Sequence, residues 1–288
     1  WYDWTELPES FFTSDSINHY RQEAQSLLQQ EFGESNLFVY KDPRICRVLQ
    51  FWKEELNAFG AKVLVVFPIR NAFEVSASLE TQKGLHKDYG CLLWLRYVLD
   101  AELNSRDLTR SFVSYDALLD DWPTVADKIA SELEIKWQKL SDSTISEIDK
   151  FLSIDHRHYK IIEEEFNTSL ENWCHEVFKI INDWALHGEN KRQHGKLNQI
   201  RAQFNEFSID FGKLIIHLNN NIQKRQTRIS ELKSTVSEKN AILEYKEEQL
   251  KNLRDTEYKL KLTTTKLDAE LEYKEEQLKN LRDTEYKL

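Results

Sequence analysis

The chain has 288 residues, and its 39 basic and 49 acidic side chains leave a formal net charge of −10. No basic patch dominates, which argues against nucleic acid as a partner, and a mean hydropathy of −0.63 with no long apolar run excludes a transmembrane helix. Seven glycines and four prolines suit long helices, and three widely spaced cysteines, Cys46, Cys91 and Cys174, without metal-type pairing fit a reduced, cytoplasmic protein. Met is absent, position 1 included, and the last residues fall inside a repeat, so a longer parent protein is expected.

Trp1, Tyr2, Trp4, Phe11 and Phe12 form an aromatic lead-in, suited to packing under a helix or to lining a pocket. Residues 15–32 read as a helix that Asp15 caps, with Ala24, Leu27 and Leu28 on its apolar face and Gly33 as its stop. Residues 37–40 read as a short buried parallel strand. A crossover helix over 45–59 follows, with Ile45, Val48, Leu49, Trp52, Leu56 and Phe59 inward and Gly60 at its end. A second strand covers 62–69 and a helix about 72–83, which Gly84 breaks. Leu92, Leu95, Val98, Leu99 and Leu103 give residues 88–105 the spacing of a well-buried helix. A third strand spans 112–115. Residues 117–133 are helical, interrupted by Pro123, which suits a helix first turn after Asp121 or Trp122. An acidic helical region follows over about 143–187, its aromatic residues packing on the domain or pairing as a hairpin. Gly188 and Gly195 mark a hinge.

From about residue 197 a heptad pattern fits. Ile215, Ile222, Ile229, Val236, Leu243, Leu250, Leu271 and Leu278 fall at a, and Leu218, Leu232, Leu253, Leu260, Leu267, Leu281 and Leu288 at d. Arg225, Lys239, Lys246, Glu257, Lys274 and Glu285 interrupt the seam. The sequence 243–260 recurs unchanged as 271–288, a shift of four heptads that keeps the seam in phase. A parallel homo-oligomeric coiled coil is expected, a lone helix being the alternative.

The strand ends put Lys41, Asp42, Arg44, Arg70 and Asn71 where open α/β sheets bind ligands. A guanidinium there can hold a phosphate with two parallel hydrogen bonds, and the next helix offers its first amides to the same anion. The stretch Arg70-Asn71-Ala72-Phe73-Glu74-Val75-Ser76-Ala77-Ser78 closes a strand with Arg and places Ser eight residues later. It resembles the 3′-phosphate motif of the sulfotransferase family that uses phosphoadenylyl sulfate (PAPS). Lys41-Asp42-Pro43-Arg44, Leu92-Leu93-Trp94-Leu95-Arg96-Tyr97 and Phe112-Val113-Ser114-Tyr115-Asp116 fit the same family, in its bacterial branch often found beside glycosyltransferase modules.

The resemblance covers roughly residues 1–158. It implies an α/β, P-loop-type three-layer parallel sheet, followed here by a connector over 159–195 and the coil over 196–288. The family's first strand and phosphosulfate loop, with its Lys, are expected before Trp1, and the 288 residues alone are expected to be inactive. The implied reaction moves a sulfuryl group from PAPS, without a metal, to a hydroxyl or amine of a carbohydrate or other small molecule. A fused glycosyltransferase module is a further implied partner.

In that reading Arg70 and Ser78 bind the 3′-phosphate, Tyr115 contacts the adenine, and Lys41 stabilises charge on the bridging oxygen, flanked by Asp42 and Arg44. The family's base position is Pro43, which accepts no proton, leaving Asp42, His19, His86 or Glu6 as candidates. The residues also admit a structural reading: Arg70 pairs with Glu74, Ser78 packs, Asp42 pairs with Arg44, and Tyr115 ends a strand in water. The rival functions are a nucleotide-kinase-like phosphotransferase, for which this chain lacks a Gly-rich loop with Lys, and a non-catalytic scaffold on a coiled coil.

Overall fold

A computed structural model describes residues 3–137, 141–152 and 166–285. The chain divides into two compact units, Trp1–Asn219 and Asn220–Leu288. The first is mostly helical around a small parallel sheet. Strands β1 (Leu64–Ile69) and β2 (Thr109–Ser114) pair in register from Leu64↔Thr109 to Ile69↔Ser114. Parallel neighbours need a long crossover, supplied here by α4 (Ala72–Lys83) and α5 (Lys87–Asn104).

The helices before the sheet are α1 (Glu9–Phe12), α2 (Asp15–Phe32) and α3 (Leu49–Ala58), the last preceded by a 3-10 turn over Ile45–Val48. The expected strand over 37–40 is not formed. Val39 is 79% exposed and Leu37 53%. The aromatic residues that suggested a strand anchor an extended segment to helices instead: Phe38 stacks on Phe32 at 4.2 Å, and Tyr40 meets Trp52 at 4.6 Å. A strand needs a hydrogen-bonded neighbour, and among the described residues β1 has β2 alone. The sheet is therefore two-stranded where three strands were expected. Ser14, not Asp15, occupies the N-cap of α2.

The helical stretch expected over 117–133 with a break at Pro123 is two helices, α6 (Tyr115–Asp120) and α7 (Trp122–Leu133). Asp121 ends the first and caps the second, its side chain accepting from the Thr124 amide, with Pro123 in the first turn. Then come α8 (Asp142–Phe151), α9 (Ser169–His187) and α10 (His194–Glu285). A capping box of Thr168 and Glu171 starts α9. The expected acidic helical region thus contains α8 and α9; its residues 153–165 lie outside the described ones.

The core centres on α5. Leu95 and Leu99 are fully enclosed, as are Val177, Ile181 and Trp184 of α9 and Leu197 and Phe204 of α10. The compact unit therefore runs past the expected boundaries at 158 and 196. Burial of large apolar side chains is what makes α9 and the start of α10 part of this domain.

Charged side chains thread the same core. Arg96, fully buried, donates to Trp4 O (2.8 Å), Asn205 Oδ1 (2.7 Å) and Asp100 Oδ1 (3.3 Å). Arg47 pairs with Asp100 at 2.9 Å and donates to Asp3 O, and Arg201 donates to Leu99 O. Trp4 itself stacks on Phe204 and Phe207. Trp4 of the lead-in thus packs against α10, and Phe12 packs instead with Ile17, Ala24 and Phe51; Trp1 and Tyr2 lie outside the described residues.

In the second unit, α10 exposes its apolar positions throughout: Ile229, Leu243, Leu253 and Leu267 are about half to two-thirds exposed. No helix among the described residues is long and apolar enough to cross a membrane.

Candidate functional site

The register Ile69↔Ser114 brings the next residues, Arg70 and Tyr115, to neighbouring carboxyl ends of parallel strands. The Arg70 guanidinium carbon lies 4.5 Å from the Tyr115 ring centroid, within cation–π range. Trp94 Nε1 donates to Arg70 O at 3.0 Å and so fixes the backbone at this turn. Asn71 caps α4, its Oδ1 accepting from the Phe73 amide at 2.9 Å. The first-turn amides and positive end of α4 therefore open directly beside Arg70.

Arg70 also has a partner of its own. Its Nε donates to Glu74 Oε2 at 3.1 Å, and the Glu74 side chain is nearly enclosed. The two terminal nitrogens of Arg70 carry no hydrogen bond among the described residues, and its side chain keeps 24% of its surface in solvent. Glu74 thus orients the guanidinium by one edge and leaves its two terminal nitrogens unoccupied by hydrogen bonds among the described residues. Ser78 sits two turns along α4, half-buried, with Oγ accepting from Gln82 Nε2 at 3.1 Å.

Lys41, Asp42 and Arg44 lie on the extended segment and turn before the 3-10 helix, with Lys41 exposed. Asp42 and Arg44 form a two-bond ion pair: Nε donates to Oδ1 at 2.8 Å and Nη2 to Oδ2 at 2.5 Å, and the Arg44 amide adds a bond to Oδ1 at 2.7 Å. Hydrogen bonds from Arg44 hold the Asp42 carboxyl down to about 2. A carboxylate held this low is a weak proton acceptor near neutrality, which makes Asp42 a poor candidate base. Of the other candidates, His19 faces Glu23 on α2 at 3.1 Å, His86 caps α5, and Glu6 accepts from Asn205.

The structure thus groups Arg70 and Tyr115, sets Asn71 and Trp94 around them, and groups Asp42 with Arg44 on a separate segment. Trp94 lies in the Leu92–Tyr97 stretch, to which the sequence reading assigns no role at the site. Its bond to Arg70 O spans 24 residues and leaves no local signal. The Asn71 cap has one, an Asn directly before the helical run. Surface depressions lie elsewhere, on α2 around His19 and Gln30 and between α3 and the end of α5 around Lys53 and Asp107. Among the described residues no group of three or more His, Cys, Asp or Glu is placed to hold a metal ion. No protein-family model, curated protein or solved structure matches this chain.

Proposed function

We propose that the first unit carries a nucleotide-anion site at the ends of β1 and β2, and that this site serves in sulfuryl transfer from PAPS to a hydroxyl or amine of a carbohydrate or small molecule. The fold it belongs to in this reading is the P-loop-type sheet, of which β1, α4, α5 and β2 are one crossover. One observation carries the reading: Arg70, with a partly open guanidinium fork, sits over Tyr115 beside the capped start of α4. In this reading the fork and first-turn amides hold the 3′-phosphate, and Tyr115 contacts the adenine. Lys41 stabilises charge as the bond from sulfur to the 5′-phosphate oxygen breaks and the bond to the acceptor forms. Adenosine 3′,5′-bisphosphate leaves, and the acceptor proton passes to a base.

Calorimetric titration tests the reading. Adenosine 3′,5′-bisphosphate is expected to bind at least about tenfold more tightly than adenosine 5′-monophosphate, the scale of one charge-assisted contact. Equal affinities contradict it. The ion pairs Arg70–Glu74 and Asp42–Arg44 favour a second reading, a non-catalytic scaffold. In either reading the second unit is a self-association element or spacer.

A further inference from the structure

The charged positions of the second unit carry orientation information. A parallel in-register pair sets a against a and d against d. Here that stacks Lys246 on Lys246, Glu257 on Glu257 and Lys274 on Lys274 of the second copy. Each such layer buries like charges with no compensating partner. Of the g positions flanking these layers, Gln249, Thr256, Thr263 and Gln277 are uncharged and Glu270 is acidic, so in a parallel pair g offers Glu257 no cation.

Turned end for end, the same seam becomes complementary. An antiparallel pair sets a against d. With Thr264 of one chain opposite Leu267 of the other, Leu260 meets Leu271, Glu257 meets Lys274, and Leu253 meets Leu278. Two-fold symmetry repeats each layer on the other side. The flanking e positions then match as well, Arg254 with Glu275 and Lys261 with Asp268. By sequence position the pattern continues to the ends of both repeats, because each repeat reads as its own complement when reversed. The described seam is free to receive a partner: Leu253 is 65% exposed, Leu260 63%, Leu271 59% and Leu278 56%. Glu257 meets its own Lys261 at 3.1 Å on the exposed surface of the single chain, a contact of little strength to give up.

We propose that two copies of this chain pair antiparallel through the 28-residue repeats, each repeat lying against the opposite repeat of the other copy. This rests on reading the second unit as a self-association element and reverses the parallel orientation expected from the leucines alone. The repeat then has a purpose beyond length: it supplies both halves of a self-complementary seam.

The test uses the full chain with cysteines at exposed seam positions, Leu253→Cys and Leu278→Cys. The native Cys46, Cys91 and Cys174 are buried. Each variant is oxidised alone and in an equal mixture, then alkylated and run without reductant. In the antiparallel pair the two copies of position 253 stand about 37 Å apart along the axis, at 1.5 Å per residue. Crosslinked dimer is therefore expected in the mixture and not in either variant alone. Independently, Glu257→Lys and Lys274→Glu should each weaken dimerisation about tenfold or more, and the double variant should restore it. Crosslinking of either variant alone, or charge variants that leave dimerisation unchanged, would overturn the orientation. A wild-type chain that sediments as a monomer at tens of micromolar would overturn self-association itself.

Discussion

Arg70 is held from three sides: Glu74 takes Nε, Tyr115 lies against its face, and Trp94 fixes its carbonyl. Arg70→Lys should recover only part of the bisphosphate affinity lost in Arg70→Ala, because an ammonium cannot make the planar two-bond contact. Ser78→Ala should cost roughly 1 kcal/mol or less, the scale of one hydrogen bond, since Ser78 already serves Gln82. Titration of the same nucleotide against both variants checks this. Asp42 gives a pH prediction. Its carboxyl is held at about 2, below its ordinary 3.8, by Arg44. A depressed carboxylate contributes stability that is fully present above its unfolded value and lost as the folded group protonates. Asp42→Asn should therefore cost up to about 1 kcal/mol at neutral pH, as the pair is partly exposed. That difference should fade between pH 4 and 2, followed by urea unfolding.

At the scale of elements, α4 and α5 approach closely. A Cβ on Gly90 would lie 2.8 Å from Ser76 Cβ and 2.9 Å from Ser76 Cα, so the helices must separate to admit it. Gly90→Ala should cost roughly 1–3 kcal/mol by overpacking, despite its better helix propensity, as read by thermal unfolding. The start of α5 would shift, and Trp94 with it. The helices α4 and α7 were legible in sequence because their signals are local: Gly84 ends α4 at φ 64° and Pro123 starts α7. The strand expected over 37–40 failed because alternating aromatic and β-branched residues serve equally to lie along helices. What decides between them is a pairing partner, and that is not a local property.

At the scale of the whole molecule, the partners of the core charges stand far apart in sequence. Arg96 reaches Trp4 and Asn205, 92 and 109 residues away, so an Arg within an apolar helix could not be assigned its neighbours beforehand. The same distance hid the extent of the first unit: the aromatic residues of 143–187 admitted packing on the domain or a hairpin, and Phe204 gave no sign of entering the same core as Trp184. By contrast the heptads of the second unit are legible as one long helix, α10, because helical periodicity is a local property of the sequence. The strand-end site falls between these cases. Its residues were read as an Arg and a Tyr at strand ends; the structure puts Arg70 just after β1 and Tyr115 at the first position of α6, just after β2, and their meeting required the register of β1 on β2. The most direct measurement is calorimetric titration of wild type and Arg70→Ala with adenosine 3′,5′-bisphosphate and with adenosine 5′-monophosphate. The account predicts a loss of about 2–4 kcal/mol for the bisphosphate, the scale of breaking a partly desolvated charge pair, and almost none for the monophosphate. Equal losses for the two ligands would contradict it and leave Arg70 as a structural partner of Glu74.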